Sequence, residues 1–278
     1  MKAQQSLIEL YEDDPINPLF DTTDMALTEM WDAIQKLQIE LALAQELAFY
    51  YSCAQWQAAR TVVDLGSGNG FYLSKIAEHF PDKRYKGIDK SSELIKIATN
   101  EHKDSGIRFE SCDLFDAEGL YDFIIMRLLL QHLPNIDQVL EKVAGLTRPG
   151  GSALIIDALD PVRFYYPPIP HFLGFFKAYK AHKAKDGLNR DIAGQLHRGI
   201  KRYTGWKISQ SLDLIVPSTL PGAMNLFRQI YGLFIDIVER AGELDYDFKT
   251  VRREWQWWCE LDEAFTQVGV KIIRLDRI

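Results

Sequence analysis

The feature that most constrains the fold is a regular alternation of two hydrophobic periods between residues 61 and 157. Short runs rich in β-branched and aromatic residues predict strands, and the stretches between them have the spacing of amphipathic helices. The predicted strands are Thr61–Leu65, Arg84–Ile88, Ile107–Ser111, Tyr121–Met126 and Ser152–Asp157, and the predicted helices are Phe71–His79, Ser91–Lys103 and Ile136–Leu146. Because these strands are apolar throughout, both faces of their sheet must be covered, which is typical of a parallel sheet in a doubly wound α/β fold.

The flanking regions are predicted to be mainly helical. Helical spacing between Thr22 and Trp56 predicts an N-terminal helix, preceded by a loose acidic arm that contains Pro15 and Pro18. Beyond Asp157 we expect helices at His171–Lys185, Met224–Ala241 and Phe248–Gln267, and strands at Ile208–Pro217 and Val270–Leu275. The economical organisation is a helical extension over residues 1–56 and one domain over 57–278, with helical insertions at 161–205 and 222–267.

Composition excludes several classes of protein. With 47% apolar and 26% charged residues, the chain is expected to be folded and globular. A formal charge of -7 argues against nucleic acid as a partner. No apolar stretch reaches the length of a membrane span, and no signal peptide is visible, so we expect no membrane contact and a cytoplasmic location. The three separated cysteines fit a reducing compartment, and no cluster with metal-ligand spacing predicts a bound metal.

A glycine-rich turn is predicted to form the ligand site. Gly66, Gly68 and Gly70 follow the first predicted strand and precede a helix, at the sheet edge where doubly wound folds bind small molecules. No Lys-Ser or Lys-Thr follows these glycines, which excludes a P-loop. The dinucleotide fingerprint places its third glycine one position later, where this chain has Phe71.

Two aspartates make the prediction more specific. Asp89 ends the second predicted strand, 19 residues after Gly70, where a carboxylate can accept both ribose hydroxyls. Asp113 follows the third strand, where it could receive the amine of an adenine. Asp89 could instead cap the next helix and Asp113 could simply turn the chain. Their joint occurrence behind the glycine loop favours the ligand-binding interpretation.

The motifs together resemble those of class I S-adenosylmethionine-dependent methyltransferases. The matching segments are VVDLGSGNG, GIDKS, SCDLFD, YDFIIMRLLLQHLPN and RPGGSALIID, which cover about residues 60–160. The resemblance implies a Rossmann-like sheet of seven strands with a final antiparallel strand, S-adenosyl-L-methionine as cofactor and S-adenosyl-L-homocysteine as product. The resemblance also implies which residues bind each part of the cofactor. The methionine part would be lined by Gly66, Ser67 and Gly68, with Arg127 and Leu128 beside it. Asp89 would bind the ribose, Lys90, Asp113 and Leu114 would surround the adenine, and Asp64 and Gly70 would be further cofactor-binding residues.

The acceptor is expected to be a small molecule methylated on oxygen or nitrogen. The exit of the fourth strand lacks the Pro-Pro-aromatic turn of DNA adenine enzymes and the glutamates of arginine methyltransferases, and no cysteine follows a proline. The segment Asp186–Ile192 resembles small-molecule methyltransferases, natural-product enzymes among them. Tyr165 and Tyr166 are candidates for an acceptor cavity.

A histidine is the candidate base for proton removal from the acceptor. His132 follows the fourth strand and His171 opens a predicted helix, although an amine acceptor could arrive neutral and need no base. Two alternatives remain open from the sequence: a cofactor-binding protein without catalysis, and an NAD-dependent oxidoreductase. The N-terminal helix could close over the cofactor or form the face of a homodimer.

Overall fold

A computed structural model describes residues 22–200 and 205–278. The acidic arm expected around Pro15 and Pro18 lies outside these residues. The helices are α1 Leu27–Ser52, α2 Ala54–Ala58, α3 Phe71–His79, α4 Ser92–Glu101, α5 Ile136–Leu146, α6 Pro170–Ala184, α7 Ile192–Ile200, α8 Ala223–Arg240 and α9 Phe248–Glu260. The strands are β1 Thr61–Leu65, β2 Arg84–Asp89, β3 Arg108–Ser111, β4 Tyr121–Arg127, β5 Thr147–Ala158, β6 Phe164–Tyr166, β7 Trp206–Pro217 and β8 Phe265–Arg277.

The strands form a mostly parallel sheet, as the sequence predicts. Strands β3, β2, β1, β4 and β5 are neighbours in that order and run parallel, because a helix separates most consecutive strands along the chain. Strand β8 is antiparallel to β5 and also pairs with β6 and β7. The carboxyl ends of β1, β2, β3 and β4 therefore share one edge, which places the glycine-rich turn beside the exits of β2 and β4.

The sheet has one strand more than expected. The described residues contain eight strands rather than seven, and the additional strand is β6, inside the segment 161–205 that was expected to be helical. Pro161, Pro167 and Pro168 flank these three residues and disfavour a helix, while the aromatic side chains favour an extended backbone. Pairing with Phe265–Gln267 of β8 supplies the hydrogen bonds.

The last predicted helix was too long. Helix α9 begins at Phe248 as expected but ends at Glu260, and residues 265–267 are already part of β8. Leu261 has an extended backbone with a ψ of 131°, which ends the helical hydrogen bonding. The β-branched residues Thr266 and Val268 then favour the strand.

The chain consists of two compact units, and the residues of each unit mainly contact one another. The described part of the first unit comprises residues 22–41, 163–185 and 216–267, and contains α6, α8 and α9. The described part of the second unit comprises residues 42–162, 186–200, 205–215 and 268–278, and contains the parallel strands. In the second unit, Val63, Ile124, Met126 and Ile155 are buried in the core that supports the sheet. None of the helices within residues 22–200 and 205–278 combines the length and apolar character that a membrane span requires.

Candidate functional site

The glycine-rich turn has the backbone that its glycines predict. Gly66, Gly68 and Gly70 have φ angles of 75°, 54° and 73°, a region that residues with side chains rarely adopt. The N–H groups of Gly66 and Ser67 donate to the carbonyl oxygen of Ile88 at 2.7 and 3.0 Å. A Cβ atom at Gly70 would lie 2.6 Å from the ring of Phe109, so the turn also requires the absence of a side chain.

Asp89 connects this turn to the next helix. Its Oδ2 atom accepts from the N–H of Gly68 at 2.9 Å, and its Oδ1 atom accepts from the N–H of Ser91 at 2.8 Å. Helix α4 is capped by Ser91 itself, whose Oγ accepts from the N–H of Leu94 at 3.3 Å. Because each carboxylate oxygen can accept a second hydrogen bond, Asp89 retains the capacity to bind two hydroxyl groups.

The exit of β3 lies beside Asp89. The N–H of Cys112 donates to the carbonyl of Asp89 at 3.0 Å, which brings Asp113 and Leu114 to the same edge of the sheet. Asp113 is exposed and its Oδ1 atom accepts from the N–H of Phe115 at 2.9 Å, so it also begins a short 3-10 helix. Lys90 is exposed at the end of β2. The three residues expected around an adenine therefore follow neighbouring strands.

The turn after β4 is held by a buried carboxylate. Leu128 has a φ of 51°, and its N–H donates to the carbonyl of Ile156 at 2.7 Å. Asp157 accepts hydrogen bonds from the backbone N–H groups of Leu130 and Gln131. Burial raises the pKa of Asp157 to about 6, although these hydrogen bonds oppose the shift. Sequence reasoning missed this residue, although a carboxylate that ends an apolar strand was a usable signal.

A buried ion pair involves Arg127 at the end of β4. Its Nε and Nη2 atoms donate to the Glu46 carboxylate at 3.0 to 3.2 Å, and the guanidinium lies 4.8 Å from the ring centroid of Tyr72. The hydroxyl groups of Tyr72 and Tyr50 are 3.0 Å apart. Glu46 and Tyr50 belong to α1, and sequence reasoning missed both. A glutamate among the apolar positions of an amphipathic helix was the available signal.

Several buried polar atoms of this edge have no hydrogen-bond partner within the described residues. They are Asp64 Oδ1, Ser67 Oγ and Gln131 Oε1. Burial raises the pKa of Asp64 to about 8, with Arg127 opposing and Asp89 reinforcing the shift. Because an unsatisfied buried polar atom is costly, such a group of atoms fits a polar ligand that supplies the missing partners. A carboxyl group, a hydroxyl and an amide oxygen suit a ligand with amino and hydroxyl groups.

The remaining candidate residues fall into both units. His132, in the second unit, is exposed and ends a 3-10 helix that begins at Leu130. His171, Tyr165 and Tyr166 belong to the first unit, where His171 and Tyr166 are exposed and Tyr165 is buried. The catalytic and substrate-binding roles expected for these four residues stay predictions.

Tyr165 is surrounded by aromatic rings of its own unit. Its ring centroid lies 5.5 Å from that of Phe172 and 5.8 Å from that of Trp258, and its hydroxyl accepts from Arg163 at 3.2 Å. Burial raises the pKa of Tyr165 well above its usual range, so the phenol remains neutral. Packing accounts for this side chain, whereas the exposed ring of Tyr166 is accessible to a ligand.

A large groove lies at the opposite ends of the strands. Its volume is about 1020 Å³, and Thr61, Arg84, Arg108 and Tyr121, the first residues of their strands, contribute to its lining. Lys86 on this side is paired with Glu110. Doubly wound folds bind ligands at the carboxyl ends of the strands, so volume alone does not identify the site.

The sequence matches a methyltransferase domain over residues 57–166, the region that forms the parallel sheet and the glycine-rich turn. Trans-aconitate 2-methyltransferase of Deinococcus radiodurans is 32% identical over 184 residues, which cover 62% of this chain and 67% of that protein. The chain therefore belongs to the S-adenosylmethionine-dependent methyltransferases. Methyltransferase str3 of Strobilurus tenacellus is 26% identical over 49% of this chain and 51% of its own length, so the chain spans only about half of that relative.

Solved structures of a methyltransferase and of another enzyme share this fold. Phosphoethanolamine N-methyltransferase 2 of Haemonchus contortus, in complex with phosphomonomethylethanolamine and S-adenosylhomocysteine, has a TM-score of 0.54 at 15% identity. The match covers 93% of this chain and 60% of that one. The [4+2]-cyclase SpnF has a TM-score of 0.51 at 16% identity, over 78% of this chain and 75% of that one. At this identity the likeness concerns the fold alone. The cofactor of the methyltransferase family is S-adenosylmethionine, and an NAD-dependent oxidoreductase is not favoured.

Proposed function

We propose that this methyltransferase transfers the methyl group of S-adenosylmethionine to an oxygen or nitrogen of a small molecule. The observation that carries the proposal is the set of unpartnered buried atoms Asp64 Oδ1, Ser67 Oγ and Gln131 Oε1 beside the glycine-rich turn. They occur at the sheet edge where Asp89 is held by the Gly68 N–H. A polar ligand at this edge would supply the partners that the described chain lacks.

We assign each cofactor-binding residue to the part of S-adenosylmethionine that it would contact. Asp89 binds the ribose hydroxyls, because its carboxylate is fixed by two backbone N–H groups and has further lone pairs. Asp113, Leu114 and Lys90 surround the adenine. Asp64 and the Gly66–Gly70 turn contact the methionine part, and Arg127 and Leu128 adjoin it.

The bound cofactor supplies an electrophilic methyl group on a positively charged sulfur. The protein positions the acceptor in line with that methyl and excludes water, which lowers the entropic barrier to the displacement. Asp157 supports this by holding the turn that contains Leu128, Leu130 and Gln131. We propose His132 or His171 as the base for an acceptor that must lose a proton, and Tyr166, whose side chain is exposed, as a residue of the acceptor site.

The small-molecule acceptor is supported by the relatives. The enzyme of Deinococcus radiodurans, which matches over 184 residues, is named for trans-aconitate, a small carboxylic acid. The identity of the acceptor here is not implied by that name. A cytoplasmic location, the absence of a resident metal, the absence of nucleic acid partners and a homodimer formed through α1 stay predictions.

Calorimetry with S-adenosylhomocysteine tests the cofactor site. We expect Asp89→Ala to lose about 1.5–3 kcal/mol of binding free energy, the value of hydrogen bonds to a charged group. Asp104→Ala is the matched control, because Asp104 is exposed and lines the groove at the other end of the strands. Equal affinities of Asp89→Ala and the unmodified protein would contradict the ribose site, and binding of NAD in place of S-adenosylhomocysteine would contradict the proposed function.

A further inference from the structure

The ion pair between Glu46 and Arg127 is more deeply buried than a stabilising contact requires. The side-chain exposures are 0% for Glu46 and 9% for Arg127. Removing two such charges from water offsets most of their mutual attraction, so a buried pair adds little net stability. Losing one partner is nevertheless costly, because the other charge is left uncompensated. The pair is therefore better explained by what it does to the electrostatics of its surroundings.

The charge of Arg127 acts on the glycine-rich turn. Strands β1 and β4 are neighbours, with Asp64 opposite Ile125, so Arg127 emerges beside the end of β1. Its positive charge lowers the pKa of Asp64, against the larger effect of burial. The same field must act on any ligand bound against Gly66 and Ser67.

Glu46 supplies a negative charge that opposes Arg127. The tyrosines that complete the cluster are neutral, because burial raises the pKa of Tyr50 and of Tyr72 well above the usual range. Their aromatic ring and hydroxyl contacts orient the guanidinium and the helix but contribute no formal charge. Without Glu46, the guanidinium would lose this carboxylate, and its positive field at this edge of the sheet would be stronger.

The two forms of the cofactor differ by one charge. The methyl donor has a positive sulfonium, whereas the sulfur of the product is uncharged. A stronger positive field from the guanidinium would therefore disfavour the donor more than the product. We propose that Glu46 is a specificity-determining counter-ion that masks Arg127 and so sets the relative affinity of this site for the methyl donor and its demethylated product. This inference rests on the proposed function, since it assumes that the cofactor binds at this edge.

A set of charge variants tests the proposal through binding. The measurement is the ratio of dissociation constants, S-adenosylmethionine over S-adenosylhomocysteine, by calorimetry at the same pH for every variant. We expect Glu46→Gln to raise this ratio about tenfold, the effect of a unit charge about 10 Å away at an effective dielectric constant of about 20. Arg127→Gln is expected to lower it, and the double variant is expected to restore it to within about threefold of the original value. Glu141→Gln, an exposed glutamate of α5, is the control.

A purely structural pair would behave differently. Each single variant would then lower the affinity for both ligands by the same factor, and the ratio of dissociation constants would stay constant. That result would overturn the inference while the proposed function stands. Failure of the unmodified protein to bind either ligand would overturn both. If Glu46→Gln does not fold, Arg127→Gln and the double variant provide the same test. They differ only in the charge of Glu46, and an equal ratio in those two proteins would overturn the proposal.

Discussion

Two buried indole N–H groups in the first unit of this methyltransferase have hydrogen-bond partners, whereas three buried atoms at one edge of the second unit have none within the described chain. In the aromatic cluster of the first unit, formed by Tyr165, Phe172, Tyr231, Trp255 and Trp258, the indole N–H groups have backbone acceptors. Trp258 donates to the carbonyls of Tyr166 and Pro167 at 3.1 Å, and Trp255 donates to that of Arg228 at 3.2 Å. At the sheet edge of the second unit that contains the glycine-rich turn, Asp64, Ser67 and Gln131 each retain an atom without a partner in the described chain.

The comparison distinguishes buried polar groups whose hydrogen bonds are formed within the protein from buried polar groups that a ligand could bind. Aromatic density suggested an acceptor cavity around Tyr165, yet its ring and hydroxyl are already engaged by neighbours in the first unit. Glu254 is buried there too, but it accepts from the backbone N–H of Phe172 at 2.6 Å and so completes the start of α6. The ligand site proposed above therefore rests on unpaired buried acceptors and not on aromatic composition.

The largest expected effect is on the aromatic cluster. Phe172→Ala should reduce the free energy of unfolding by about 3–5 kcal/mol, because it leaves a cavity among well-packed rings. Leu173→Ala is the control, since the neighbouring side chain is 41% exposed and should cost far less. Denaturant unfolding measures both. Equal losses of stability in the two variants would contradict the prediction that the aromatic cluster is tightly packed.

A smaller effect is expected at the glycine-rich turn. Gly70→Ala should cost about 2–4 kcal/mol of stability, since it combines a φ of 73° with a contact of 2.6 Å to Phe109. Gly106 has the same φ of 73°, but a Cβ atom there would meet no atom within 4 Å, so Gly106→Ala isolates the backbone cost at about 1–2 kcal/mol. Thermal unfolding of both variants gives the difference, and a costlier Gly106 variant would exclude the steric explanation.

The smallest effect concerns the pH dependence of stability. Asp64 has an ordinary pKa of 3.8 and a folded pKa of about 8, so the folded state retains its proton where the unfolded chain has lost it. Stability should therefore fall as the pH rises between these values. We expect the loss from pH 5 to pH 9 to be at least about 1.4 kcal/mol larger in the unmodified protein than in Asp64→Asn, the equivalent of one pKa unit. Parallel pH profiles of the two proteins would show that the carboxyl is not held protonated.

The sequence predicted the sheet well because its strands are continuous apolar runs. Thr61–Leu65, Phe71–His79 and Ile136–Leu146 have the predicted bounds, since glycine and asparagine mark their ends clearly. Strand β6 was not predicted because three aromatic residues between prolines carry no periodic signal, and its hydrogen bonds come from residues about 100 positions away.

The candidate site was predictable only where local motifs define it. The positions of Gly66, Gly68, Gly70 and Asp89 follow from the turn chemistry at strand ends. The pairing of Glu46 with Arg127 joins residues 81 positions apart on different elements, and no local pattern specifies it. Asp157 likewise becomes informative only once its backbone donors after β4 are known.

The left-handed backbone of Leu128 has a consequence for engineering this enzyme. A side chain at a φ of 51° costs about 1–2 kcal/mol relative to glycine, and hydrogen bonds to Ile156 and from Gln131 keep the residue there. A screen for heat resistance would therefore be expected to favour glycine at this position. Because Leu128 is proposed to adjoin the methionine part of the cofactor, we expect a screen for turnover to favour retention of the leucine side chain. The two selections would then diverge at one residue, which makes Leu128 a position to exclude from stability-guided libraries.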